Sequence, residues 1–236
     1  MKKINYKEML KNYTSFSTND FICEFKKTYP NFSESYAKKT LYKNIKNNEI
    51  ARIGRNKYIF LNDNCLKIYS YELSDEAEKI DKKIKENFPD LKFKIFELIQ
   101  LNEFLNHQIA QNVIIIYVEE VLGDFVFDLL KKEYIHKILI KPTLNDIDKY
   151  FVDNLIIIDN LTTEAPNHKN KKTLVCIEQI IVDLLCNKYA RAIINVNEIP
   201  DVINLITKRY VIDKSKMFRY ARRRTVENDL LKLINK

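Results

Sequence analysis

Ser33-Glu34-Ser35-Tyr36-Ala37-Lys38-Lys39-Thr40-Leu41-Tyr42-Lys43-Asn44-Ile45-Lys46, with Ile50-Ala51-Arg52-Ile53-Gly54-Arg55-Asn56-Lys57-Tyr58-Ile59-Phe60 close behind, is the stretch that decides the fold. Ser33 stands where a helix cap is needed, with Glu34 in the first turn. Ala37, Leu41 and Ile45 recur at four-residue spacing and face a core. Lys39, Tyr42, Lys43 and Lys46 fall at i, i+3, i+4 and i+7 on a different face. Asn47-Asn48 ends the helix. Residues 50–53 and 57–60 are short β-like runs around the tip Gly54-Arg55-Asn56, where the glycine is expected to supply the turn. Upstream, Asn19 or Thr18 can cap a helix with the apolar face Phe21, Ile22, Phe25 and Tyr29, broken by Pro30-Asn31. Helix, turn, basic helix and β-hairpin form the order of a winged helix-turn-helix, expected over residues 1–70.

Downstream the pattern changes. Residues 71–90 predict a charged helical connector ending at Phe88-Pro89-Asp90. Residues 93–104 and 123–132 predict helices, and 113–118, 138–140 and 155–158 predict strands, the second stopped by Pro142. Residues 174–185 are apolar almost all round, which predicts a buried helix. Short β runs alternating with helices indicate a mixed α/β domain over 91–236. The class expected for the whole chain is α+β.

Composition narrows the function. Of 236 residues, 46% are hydrophobic and 31% charged, as in a folded water-exposed protein. No apolar run approaches the ~20 residues that span a bilayer. The start, MKKINYKEML, has no apolar segment after its lysines, so a cytoplasmic location is expected. Cys23, Cys65, Cys176 and Cys186 are scattered and read as reduced thiols. Gly54 and Gly123 are the only glycines, which excludes a glycine-rich phosphate loop. Residues 1–70 hold 14 Lys+Arg against 6 Asp+Glu, 71–213 hold 18 against 24, and 214–236 hold 8 against 2. Basic ends around an acidic middle point to a polyanion-binding module joined to something with another task.

The second helix of the motif suits a DNA major groove. Lys38, Lys39 and Lys43 can reach phosphates, Ser35, Tyr36 and Tyr42 base edges or sugars, and Lys46 continues the same face. Arg55 and Lys57 on the wing can enter the minor groove or clasp the backbone. A winged helix used only for protein contacts is the competing reading. A second basic site is the run Met217-Phe218-Arg219-Tyr220-Ala221-Arg222-Arg223-Arg224. Arg219, Arg222 and Arg223 share a helical face there, with Arg224 following; the run either binds phosphate or docks on the acidic middle through ion pairs. A metal-dependent nuclease would need converging carboxylates. Glu119, Glu120, Asp159, Glu178 and Asp183 are on offer, but Glu178 and Asp183 are five residues apart and do not share a helical face. His107, His136 and His168 are isolated from other ligand-type residues. No metal, cofactor or catalytic residue is expected.

The wing Ile50-Ala51-Arg52-Ile53-Gly54-Arg55-Asn56-Lys57-Tyr58 resembles that of AbiEi-type antitoxins of bacterial abortive-infection systems, or of a sister family. Residues 96–106, 161–166, 177–185 and 218–224 look like segments of the C-terminal domain of that group: a stretch ending in Ala165-Pro166, a helix with Glu178 and Asp183, and a terminal aromatic-Arg-Tyr-Ala-x-Arg-Arg. The resemblance covers most of residues 18–226 as spaced short motifs. It implies a winged-helix repressor that binds inverted repeats of double-stranded DNA in its own promoter. It also implies an antitoxin, in a type IV toxin–antitoxin operon, that counteracts a nucleotidyltransferase toxin. Carried over by position, Lys38, Lys39, Tyr42, Lys43, Arg55 and Lys57 would contact DNA.

Overall fold

Ser17, not Thr18 or Asn19, caps the first long helix, because its hydroxyl accepts from the Asp20 backbone N–H while the Asp20 carboxylate accepts from the Ser17 N–H at 2.8 Å. That reciprocal pair satisfies two of the donors a helix start leaves open. The structure, a computed structural model, describes residues 6–61, 66–168 and 171–234; Cys65 lies outside them. The chain divides into two units, one of residues 1–69 and 207–216, the other of residues 70–206 and 217–236.

In the first unit α1 (Tyr6–Met9) is followed by α2 (Thr18–Thr28), α3 (Glu34–Lys46), β1 (Ile50–Gly54) and β2 (Lys57–Phe60). Ser33 caps α3 through the Tyr36 N–H, as expected, and Asn48 closes it with a left-handed φ of 58°. β1 and β2 pair antiparallel, and Phe16 bonds Tyr58 on the other edge of β2. The two faces of the hairpin go to different partners, as period-two alternation requires. Ile50 and Tyr58 join Phe16, Phe21, Phe25, Ala37 and Leu41 in one core. Ala51, Ile59 and Leu61 form a second with Ile53, Leu66, Ile68 and Val211. Each fully buried large side chain contributes about 1.5–3 kcal/mol, so a winged helix of this size depends on both. Val211 arrives from the far end of the chain: Lys67 N–H donates to Arg209 O, and Val211 N–H to Lys67 O, both at 2.9 Å.

The wing tip departs from expectation. Neither glycine has positive φ; Asn56 takes the left-handed position at 52°. Asparagine tolerates that region because its short polar side chain bonds locally. Here Asn56 Oδ1 accepts from the Thr18 N–H at 3.0 Å. Gly54 instead sits where the ladder register shifts, after Arg52.

The second unit holds α4 (Asp75–Asn87), β3 (Phe93–Glu97), β4 (Val113–Val118), α5 (Gly123–Leu130), β5 (Ile138–Ile140), α6 (Leu144–Tyr150), β6 (Leu155–Asn160), α7 (Ile177–Cys186), α8 (Lys188–Ile193), α9 (Ile199–Arg209), α10 (Lys214–Arg223) and α11 (Glu227–Ile234), with α9 and α10 each extending into the first unit. The sheet order is β3-β4-β6-β5, with β3 antiparallel and the other three parallel. Residues 93–97 are a strand rather than a helix, followed by a 3₁₀ turn from Leu98 to Glu103. Their apolar spacing fits either period, and pairing with the β-branched β4 decides it. α4 is built into the core as well as charged. Ala77, Ile80 and Ile84 pack with Ile114, Ile116, Ile156, Ile158, Val126 and Leu130. α7 is buried from Ile177 to Leu184, as its all-round apolar character predicts. No helix among the described residues is long and apolar enough to cross a membrane.

Candidate nucleic-acid interface

α3 has two chemically opposite faces. Ala37, Thr40, Leu41 and Asn44 are buried, whereas Ser35, Tyr36, Lys38, Lys39, Tyr42, Lys43 and Lys46 are exposed. At 1.5 Å of rise per residue the exposed set covers about 16 Å of helix, a length that a major groove accommodates. The two tyrosines differ. Tyr36 is stacked on Phe32 with ring centroids 4.6 Å apart, so its ring is braced at the start of the helix. Tyr42 is 62% exposed in mid-helix, between Lys39 and Lys46. An aromatic so open to water gives up solvent contact readily on stacking against a sugar or base edge. Glu34 pairs with Lys26 at 2.8 Å, and that bond, with a weaker pull from Lys38, holds its carboxyl below the usual range.

The wing brings Arg55 and Lys57, both exposed. Among the described residues none of Lys38, Lys39, Lys43, Lys46, Arg55 and Lys57 is ion-paired. Unlike them, Arg52 turns back: its Nε donates to Gly54 O at 2.9 Å and lies 3.4 Å from the nearly buried Asp213 carboxylate. The Arg55 backbone N–H donates to Ser215 Oγ at 2.7 Å. Residues 207–216 thus belong to this unit, and with them it carries 18 Lys+Arg against 7 Asp+Glu. The other unit carries 22 against 25. The positive charge of the chain is therefore concentrated in the unit with the helix-turn-helix. No local sequence signal announces that residues 207–216 return there, because Tyr210-Val211-Ile212 is too short a β-like run to name its partner.

The C-terminal arginines are placed differently. On α10 Met217, Tyr220 and Ala221 are buried, so Tyr220 faces the core while Arg219, Arg222 and Arg223 are exposed. Arg219 pairs with Glu164 at 3.3 Å and Arg222 with Glu227 at 3.1 Å. Arg223 Nε donates to Thr163 Oγ1 at 2.7 Å, and Arg224 donates to Thr162 Oγ1 at 2.8 Å and to Cys186 Sγ at 3.1 Å. All four are engaged within their own unit. Beneath them Asp183 accepts from Tyr220 Oη at 3.0 Å and Gln179 Nε2 at 3.2 Å. Burial pushes the Asp183 carboxyl up, the Arg224 guanidinium and the two hydrogen bonds pull it down, and burial wins. Tyr117, reached by Asn187 Nδ2 at 2.7 Å, extends the same polar cluster into the sheet.

A cleft of about 500 Å³ opens beyond the carboxyl ends of β4 and β6, where open α/β sheets receive ligands. Of the carboxylates weighed for metal chemistry only Glu119 lines it. Glu178 and Asp183 are buried on α7, and Glu120 pairs with Lys141 at 3.5 Å. Among the described residues no three His, Cys, Asp or Glu side chains are grouped to hold a metal ion. His107 and His136 are exposed, and His168 Nδ1 accepts from the Lys171 N–H at 3.3 Å.

A protein-family model described as "Family of unknown function (DUF6577)" matches residues 36–236. No curated protein matches the chain. No solved structure matches it either.

Proposed function

The chain belongs to the DUF6577 family, and we propose that it is a sequence-specific DNA-binding transcriptional regulator. In this reading it represses its own operon from the cytoplasm and acts as the antitoxin of a type IV toxin–antitoxin system. The observation that carries the DNA-binding part is the exposed, carboxylate-free face of α3, with Lys39, Tyr42, Lys43 and Lys46 on one side of a helix whose other side is core. α3 lies in the major groove, with Lys38, Lys39, Lys43 and Lys46 on phosphates and Ser35, Tyr36 and Tyr42 nearest the base edges. Arg55 and Lys57 grip the flanking backbone or the minor groove. Inverted repeats in the operator would engage two copies of the chain. The antitoxin role follows from the resemblance of the second unit's motifs and predicts a nucleotidyltransferase reading frame beside this one.

Six cations each neutralising one phosphate give a slope of log affinity against log salt of about −5, or roughly a thousandfold loss between 50 and 200 mM salt. Gel shifts of the full chain on the DNA upstream of its own reading frame, against unrelated DNA at both salts, test this. Lys39→Glu with Lys43→Glu is expected to weaken binding at least about a hundredfold and flatten the slope by about two. Undiminished affinity in the double variant would reject α3 as the recognition helix. Equal or absent binding of the unaltered chain to both DNAs would reject the regulator reading.

A further inference from the structure

We propose that residues 213–216 form a third element of the DNA-binding surface, in which Ser215 positions the wing tip and Lys214 contacts a phosphate; this rests on the DNA-binding reading above. A winged helix with only α3 and a hairpin would present Arg55 from a two-stranded ribbon, which is marginally ordered when left to itself. This wing is tied on two sides. Asn56 Oδ1 accepts from the first backbone N–H of α2, and the Arg55 N–H donates to Ser215 Oγ at 2.7 Å, a bond between residues 160 apart in sequence.

The segment that supplies Ser215 is itself held. Asp213 Oδ1 accepts from the backbone N–H groups of Ser215 at 3.1 Å and Lys216 at 3.3 Å, shaping the turn that presents the hydroxyl. The Arg52 guanidinium lies 3.4 Å from the other Asp213 oxygen. A Cβ built on Gly54 would lie 3.5 Å from Ser215 Oγ, so the Ser215 hydroxyl sits close over position 54. A side chain larger than a methyl at position 54 would crowd this approach.

The consequence is electrostatic. Lys214 is exposed and directly precedes Ser215, whose hydroxyl accepts from the Arg55 N–H. Asp213, the nearest carboxylate in sequence, is committed to Arg52 and to two amides. Among the described residues Arg55, Lys57 and Lys214 are not ion-paired, so the segments joined by the Arg55–Ser215 bond carry three uncommitted cations. A cluster of unpaired cations on a pre-ordered backbone suits a phosphate chain, and pre-ordering lowers the entropy lost on binding.

Full-length Lys214→Ala, Ser215→Ala and Ser215→Thr are compared with Lys79→Ala, which removes an exposed charge from α4 of the other unit. Affinity for the upstream DNA is measured by fluorescence anisotropy from 50 to 200 mM salt. Lys214→Ala is expected to reduce the salt slope by about 0.9 and weaken binding several-fold, whereas Lys79→Ala leaves both unchanged. Ser215→Ala is expected to weaken binding and to speed hydrogen exchange of the Arg55 amide, and Ser215→Thr, which keeps the hydroxyl, to restore both. If Lys214→Ala matches Lys79→Ala while Lys39→Glu with Lys43→Glu still abolishes binding, the third element is refuted and the regulator reading stands. If Ser215→Ala accelerates Arg55 exchange but binds as tightly as the unaltered chain, the positioning role is refuted. Failure of the unaltered chain to prefer its upstream DNA overturns both readings together.

Discussion

Arg224→Ala isolates the buried polar cluster of the second unit. Asp183 is 2% exposed and keeps two neutral donors, Tyr220 Oη and Gln179 Nε2, when the guanidinium is gone. Arg224 also loses its bonds to Thr162 and Cys186. Arg224 acts on Asp183 through its charge rather than a direct ion pair, and each charge-assisted hydrogen bond it loses is worth about 1.5–3 kcal/mol, softened by water at this partly buried position to about 3 kcal/mol in all. For a unit of this size that is a fall in melting temperature of roughly 6–12 °C. The pH dependence carries the diagnosis. The folded Asp183 carboxyl titrates above its ordinary value, burial outweighing Arg224, so its contribution to stability is present at low pH and is lost as pH rises through the folded value. Without Arg224 the folded value climbs further. The deficit of the variant therefore shrinks as pH falls and the stranded carboxylate takes up a proton. Asp183→Asn in the same background removes the charge and recovers much of the loss at pH 7. Urea unfolding followed by far-ultraviolet circular dichroism reads all three chains. A deficit below about 1 kcal/mol at pH 7, or one that does not shrink as pH falls, would show that Arg224 does not support Asp183.

Two further outcomes follow from local geometry. Asp20 is held below the usual carboxylate range by the Ser17 backbone and hydroxyl, so its stabilisation is present above the ordinary value and lost as pH falls through the depressed one. Asp20→Ala should cost about 0.5–1 kcal/mol at pH 7, after allowance for solvent screening, and progressively less as pH falls through the depressed value; a cost that does not change with pH would refute the capping box. Burial and then Asp183 raise the Cys186 thiol to about 11, and burial then Glu178 carry Cys176 higher, while Cys23 is exposed. In a Cys65→Ser background a thiol reagent at pH 8 should label Cys23 first, and peptide mapping that found Cys176 labelled equally fast would contradict its buried place.

Much of the winged helix was legible because its signals are local. Ser33, the four-residue spacing of Ala37 and Leu41, and the lysines of the opposite face each act within one or two turns of helix. The alternating hairpin and the all-apolar α7 were legible for the same reason. Where two local choices compete, spacing alone misleads. Ser17 outcompetes Thr18 and Asn19 because only from position 17 does Asp20 complete the reciprocal cap. Residues 93–97 satisfy both helical and strand periods until β4 pairs with them. Asn56 takes the left-handed turn position because a side-chain bond to Thr18, 38 residues away, rewards it there.

What the sequence determined by itself was the chemistry of each face: basic and aromatic on one side of residues 34–46, apolar on the other, and an acidic balance in the middle of the chain. Only the tertiary structure decided which cations stay free. It tied Arg52 to Asp213, paired Arg219 with Glu164 and Arg224 with Thr162 within the second unit, and returned residues 207–216 to the wing. The reason is physical: periodicity and capping depend on neighbours a few residues apart, whereas a salt bridge or a strand contact depends on where distant segments meet once the core has closed.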